Sequence, residues 1–398
     1  MTEIQVDAPS HTHPVRAAAG ATATTIGCVL PVFLLGGLAV QMGDELHFSP
    51  AGLGLAVSVY FGVSALASVP SGALVERYGP RVVARAGLLL AAVTLLAIAV
   101  VARSFATLVV LLALSAGANA LGQLASNAAL AQHIPAGRQG LSFGVKQAAI
   151  PVSTLLAGAA VPTIALTAGW RWAFVAAAGV ALATLPAVPA GRRPTAKPAG
   201  TGGQRATTAL IVLGVAATLA AAAANALGTF VVDSSVARGL SPGLAGLTLT
   251  FGSAVCVAAR VLSGWLADRR TGGHVAVIAG MLVVGAVGLT LLAVAGAGPL
   301  VVGVTLGFGL GWAWPGLMNF AVVRLHPQAP AAATSITQTG VYAGGCIGPL
   351  GLGAVAGYAD YPTMWLTAAI AMLVAAGLML VGSRMLRRRS APLSTSPA

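Results

Sequence analysis

Runs of about twenty predominantly apolar residues recur from one end of this sequence to the other, separated by short clusters of Gly, Pro and charge. A helix of that length spans about 30 Å, the thickness of a bilayer's hydrocarbon core. The runs are continuous rather than alternating, which argues against the period-two strands of an outer-membrane barrel. Hydropathy with this punctuation predicts twelve transmembrane helices, at about 22–42, 51–73, 82–102, 106–131, 140–163, 170–189, 207–231, 243–266, 274–295, 299–323, 332–356 and 363–386. The expected fold class is all-α integral membrane.

Composition agrees with that solvent. Of 398 residues, 57% are hydrophobic and 7% charged, against about 25% charged in a soluble domain. A net charge of +13 would suit nucleic acid only if it formed a basic face on a soluble domain, and the sequence has no such domain. Nucleic acid is therefore not an expected partner; the bilayer and a small-molecule solute are. The Lys and Arg residues sit in short loops: with the N-terminus inside, sixteen fall on inner segments, whereas Arg103, Arg171 and Arg238 fall on outer ones. This bias places both termini in the cytoplasm and the chain in the inner cell membrane. The first twenty residues are polar, and the apolar run after them is too long for a signal-peptide core, so it is expected to stay as the first helix. Cys28, Cys256 and Cys346 lie inside apolar runs without metal-ligand spacing, so they read as packing residues, with no metal or cofactor expected. No metalloprotease motif, paired Asp or nucleophile elbow is present, so the chain does not read as an enzyme.

The chain repeats itself. A shift of 192 residues lays Ser49-Pro50 on Ser241-Pro242, Gly54-Leu55 on Gly246-Leu247, Ser71-Gly72 on Ser263-Gly264, Glu76-Arg77 on Asp268-Arg269, and Asn127 on Asn319. Duplication of a six-helix unit explains this register. The only long connection without apolar character lies at the centre. The expected organisation is a cytoplasmic tail at 1–21, a six-helix bundle at 22–190, a linker at 191–206, a second pseudo-symmetric bundle at 207–386 and a basic tail at 387–398.

The segment from Gly72 through Glu76, Arg77 and Gly79 to Arg81 resembles the loop motif of the major facilitator superfamily, and Arg260, Gly264, Asp268, Arg269 and Arg270 repeat its pattern after the eighth helix. Two departures are Glu76 where aspartate is usual and Pro80 in place of a basic residue. The resemblance implies the major facilitator fold, in which two bundles rock about a central site, and it covers the whole chain. Gly72 and Gly264 would let neighbouring helices approach closely, and the acid–arginine pairs would bridge the halves as a conformational latch. Setting topology alone would explain the arginines but not acids at matching positions. Arg260 reads as a structural partner for an acid rather than as a solute contact. The Gly144-Val-Lys-Gln-Ala and Thr337-Gln-Thr-Gly340 segments are similar to those of permeases for cyanate and other small anions.

Polar residues are segregated among the helices. The third, sixth, ninth and twelfth have no Asn, Gln, Lys, Asp or Glu in their interiors, so they belong on the outside. Asn119, Gln123 and Asn127 recur every fourth residue on one face of the fourth helix. That face is expected to line the cavity, with Lys146, Gln147, Trp312, Asn319 and Gln338; interhelical hydrogen bonding and ordinary packing compete with that reading. Lys146 lies within the fifth helix, where it either faces the cavity or snorkels to the interface. No acid falls inside an expected helix interior, which points to an anionic or polar solute and leaves the coupling ion, a proton included, open. Secondary transport by a monomer is the expected function. Broad-specificity drug efflux is the alternative, and a channel or sensor is the alternative of another class.

Overall fold

The computed structural model describes residues 14–133, 139–189, 208–270, 272–325 and 330–390, and its regular structure is helical throughout. Twelve helices are long and apolar enough to cross a membrane. In the first half they are Pro14–Gly37, Pro50–Tyr78, Pro80–Val101, Phe105–His133, a fifth built from Gln139–Gln147, Ala149–Ala160 and a π segment Val161–Ala165, and Trp170–Thr184. In the second half they are Thr208–Ala237, Pro242–Arg269, His274–Ala293, a tenth built from Ala297–Leu306, a π segment Gly307–Gly311 and Pro315–Leu325, then Pro330–Tyr358 and Tyr361–Ser390. Twelve antiparallel crossings put the described ends of the first and twelfth helices on one face, called here the terminal face. The expected linker at 191–206 lies outside the described residues.

The repeat has a structural counterpart in how helices start. Ser49 and Ser241 hold extended backbone immediately before Pro50 and Pro242, the first residues of the second and eighth helices. Proline is suited to that position, because its fixed φ is helical and the missing N–H would have no intrahelical partner there. Ser49 also accepts a hydrogen bond from the Gly52 N–H at 3.3 Å.

Several boundaries differ from expectation, two of them by the most, and one of these carries chemistry. The first helix begins at Pro14, not near 22, because Ala17 and Ala21 are buried and the Thr24 and Thr25 hydroxyls fold back onto the Gly20 and Ala21 carbonyls. The seventh runs to Ala237 instead of 231, with Ser234 and Ser235 bonded back to the Val231 carbonyl and the chain turning at Gly239, φ 93°. Asp233, expected in an outer loop, is therefore inside a crossing helix.

The third, sixth, ninth and twelfth helices make their principal contacts within their own half, and the halves meet chiefly through the pairs second–eleventh and fifth–eighth, with first–seventh and fifth–tenth beside them. Away from the terminal face these seams are closed backbone against backbone. A Cβ built at Gly54 would collide with the Pro349 carbonyl, and one built at Gly158 would lie 2.6 Å from the Gly246 carbonyl.

Candidate functional site

The fifth helix is interrupted between Gln147 and Ala149, and the cause is local. The Gln147 carbonyl would normally accept the N–H four residues on, but that residue is Pro151, which has none. A guanidinium from the other half takes that place: Arg260, on the eighth helix, donates through Nη1 to the Gln147 carbonyl. Its Nη2 donates to the Trp312 carbonyl at 2.7 Å. Trp312 lies in the turn between the tenth helix's π segment and Pro315, another break in the helical ladder. Arg260 is 1% exposed, its charge lies 5.9 Å from the centroid of the Trp312 ring, its side chain also hydrogen-bonds the Cys256 thiol one turn back, and its Nε meets no nitrogen or oxygen acceptor.

Beside this junction stands Lys146, 5% exposed. Its ammonium points inward and donates to Gln123 Oε1 on the fourth helix at 2.5 Å, so it does not snorkel to an interface. One turn away Asn119 donates to Ser64 Oγ at 3.0 Å, and Ser64 donates onward to the Ala116 carbonyl. The Asn119 Oδ1 is buried without a partner. Neither cation has a carboxylate partner among the described residues. The Trp312 ring packs edge-on against Phe308 and Phe33, at 5.5 and 6.1 Å between ring centroids.

The remaining expected cavity residues separate from this cluster. Asn127 shares the helical face of Gln123 but is exposed, and Asn319 is half-buried. Gln338 is half-buried and hydrogen-bonds Tyr342, which also bonds Ser68 on the second helix, on the second–eleventh seam.

The expected latch is rearranged in four respects. Arg260 meets main-chain carbonyls instead of an acid, because two helix breaks leave acceptors in its reach. Asp268 bridges the halves through backbone: its Oδ2 accepts the Leu141 N–H at 3.0 Å, one of the first-turn donors of the fifth helix that has no intrahelical acceptor. Arg77 and Arg269 lie over their neighbours' rings, Tyr78 at 5.3 Å and Trp265 at 3.5 Å. Glu76 and Arg81 are exposed, and Glu76 forms no salt bridge among the described residues. Of the two motif glycines, Gly264 is closely approached, a Cβ built at Gly144 lying 3.4 Å from its Cα, whereas a Cβ at Gly72 would meet nothing within 4 Å. Gly79 serves the backbone instead, and at φ 84° it turns the chain from the second helix directly into Pro80.

Two polar clusters on the face opposite the termini escaped sequence reasoning. Glu45 forms a salt bridge with Arg171 at 2.7 Å and accepts from Trp170 Nε1 at 2.6 Å. Burial alone would raise its carboxyl pKa, but the hydrogen bonds of Trp170 and Arg171 and the charges of Arg171 and Arg103 hold it below the ordinary value. Asp233 accepts a hydrogen bond from the Tyr361 hydroxyl near the end of the seventh helix, far along the chain from Lys146. The adjacent Trp170-Arg171 pair at the start of the sixth helix was a usable signal for the first cluster; nothing in the sequence pairs Asp233 with Tyr361.

A family model described as Major Facilitator Superfamily matches residues 19–349. A search of curated proteins finds no match.

Proposed function

The chain belongs to the major facilitator superfamily, and from that premise we propose that this multi-pass membrane transporter is a secondary carrier of a small anionic solute, working by alternating access. One observation carries the reading: two buried cations, Lys146 and Arg260, lie within the bundle on neutral acceptors, the Gln123 amide and two main-chain carbonyls, without a carboxylate partner among the described residues. Inserting a lysine at membrane depth costs roughly 2.5–3.5 kcal/mol, and a bare amide oxygen offsets only part of that. An anion at Lys146 would neutralise charge that the protein leaves uncompensated, in surroundings where little water screens the attraction. The unpartnered Nε–H of Arg260 supplies a further donor, and the amide of Gln123 can orient the solute. A cationic drug would meet the same two charges as repulsion, which sets efflux of such compounds behind anion transport.

The Lys and Arg distribution supports an inner-membrane location with both termini cytoplasmic, so the terminal face would be the cytoplasmic one. On that orientation the packed glycine seams close the far side, and the fifth and eighth helices are also drawn together toward the terminal face, where a Cβ built at Gly144 would lie 2.8 Å from the Arg260 carbonyl; a rocking motion would open one face at a time. The test is counterflow in proteoliposomes, comparing small anions with polyols and cationic dyes. Saturable exchange of an anion, with neither of the others carried, is the expected result; exchange of a cationic dye without any anion would overturn it.

A further inference from the structure

The hydrogen bonds of Arg260 join parts that must move relative to one another if the halves rock. Its side chain starts on the eighth helix, in the second half, and ends on the Gln147 carbonyl, in the first. The second bond, to the Trp312 carbonyl, fixes the guanidinium within its own half. Toward the terminal face the same seam carries the bond from Leu141 to Asp268. Separation of the fifth and eighth helices at that face therefore requires Arg260 to leave Gln147.

We propose that Arg260 couples solute binding to the rocking of the halves: in the solute-free carrier its guanidinium ties the Gln147 carbonyl to the eighth helix, and an anion at Lys146 draws it away and releases the seam. This rests on the reading that an anion binds beside Lys146. Three observations favour a removable tie over a permanent strut. The acceptors are neutral carbonyls, so an anionic oxygen would be a stronger partner for the same N–H groups. The tie ends on Gln147, the residue that follows Lys146 in the chain, so an anion held by Lys146 acts on the same stretch of the fifth helix. The guanidinium already has one unused buried donor, Nε, available before the other bonds break. The forked shape is needed, since a single planar group spans two carbonyls on different helices and a lysine ammonium is a compact point charge on a shorter stem.

Pro151 is the counterpart on the first half. It leaves the Gln147 carbonyl without an intrahelical donor, and Pro151→Ala would restore an N–H that competes with Arg260. Two different substitutions thus weaken one tie from opposite sides.

The measurement is the distance between spin labels on Leu141→Cys and Leu266→Cys, both exposed on the two helices of the seam, in the full chain in lipid nanodiscs with Cys346 replaced by serine. It is read without solute and with nitrate, formate or cyanate, gluconate serving as the bulky control. The solute-free parent protein should show one short distance. Arg260→Lys and Pro151→Ala should each raise the ratio of long to short distances by about tenfold without any solute, as expected for loss of one charge-assisted hydrogen bond. An anion whose binding requires Lys146 should produce the same lengthening in the parent, and gluconate should not. Unchanged distances in both variants would overturn the tie. An anion that binds through Lys146 yet leaves the parent closed would overturn the coupling while leaving anion transport standing. If no probe binds, the anion reading and the coupling fail together, and any opening by the variants then marks Arg260 as a static strut.

Discussion

Replacing Lys146 with alanine removes the one ammonium that the fifth helix carries into the bundle. The expected result is protein that still inserts and purifies but exchanges the identified anion at less than about one-tenth of the parent rate, as loss of one buried charged contact implies. Lys146→Arg should retain part of the activity, because charge is kept while reach and shape change. Counterflow at parent rates in Lys146→Ala would remove the anion reading. Glu45 makes a separate prediction about stability. Its folded pKa lies below the ordinary value of 4.5, so its contribution is complete above that pH and is lost as pH falls through the lowered folded value. Thermal unfolding of Glu45→Gln should therefore differ from the parent at neutral pH, with the gap closing progressively below pH 4.5. Among single residues the sequence was informative about Lys146, an isolated base in an apolar run. It was misleading about Arg260, because the acceptors that hold it are backbone atoms with no side-chain signature.

At the scale of the helices, the two copies of the loop motif have diverged in what they do. Asp268 meets the start of the fifth helix, whereas Glu76 is exposed at the end of the second. Asp268→Ala should lose a capping interaction of about 1 kcal/mol, about fivefold in the balance between conformations, with little change in half-saturating solute concentration. Glu76→Ala should change counterflow rate by less than about twofold, as for an exposed group. Equal effects of the two substitutions would contradict this division. The glycine seams offer a second contrast. Gly54→Val must push the second and eleventh helices apart, while Gly72→Val has open space. Alkylation of a cysteine placed at Ser58, a buried residue on that seam, should become faster in the first variant and stay unchanged in the second.

Across the whole molecule, the arrangement of polar residues bears on which helices are peripheral. A side chain that must avoid lipid constrains its helix wherever the helix sits, and the four helices lacking such groups make their principal contacts within one half, although the fourth helix, which carries Asn119 and Gln123, does so as well. Orientation rests on charge bias instead. A cysteine at position 197, in the central linker, should react with an impermeant reagent only when the cytoplasmic side is exposed. Labelling from the opposite side of intact cells would invert the topology and with it the assignment of inner and outer seams.

The sequence by itself determined the solvent, the number of crossings and the repeat, because each follows from transfer free energies and spacings that are summed locally along the chain. It also marked Lys146 and Gln123 as polar residues without an obvious local reason. Only the tertiary structure decided what those residues meet. The tie from Arg260 to the Gln147 carbonyl joins the two halves across 113 residues of chain. It depends on a carbonyl freed by Pro151, which becomes visible as an acceptor only when the eighth helix is packed against it. Side-chain identity sets what a residue can bond; packing between the halves sets which backbone atoms are left for it to find.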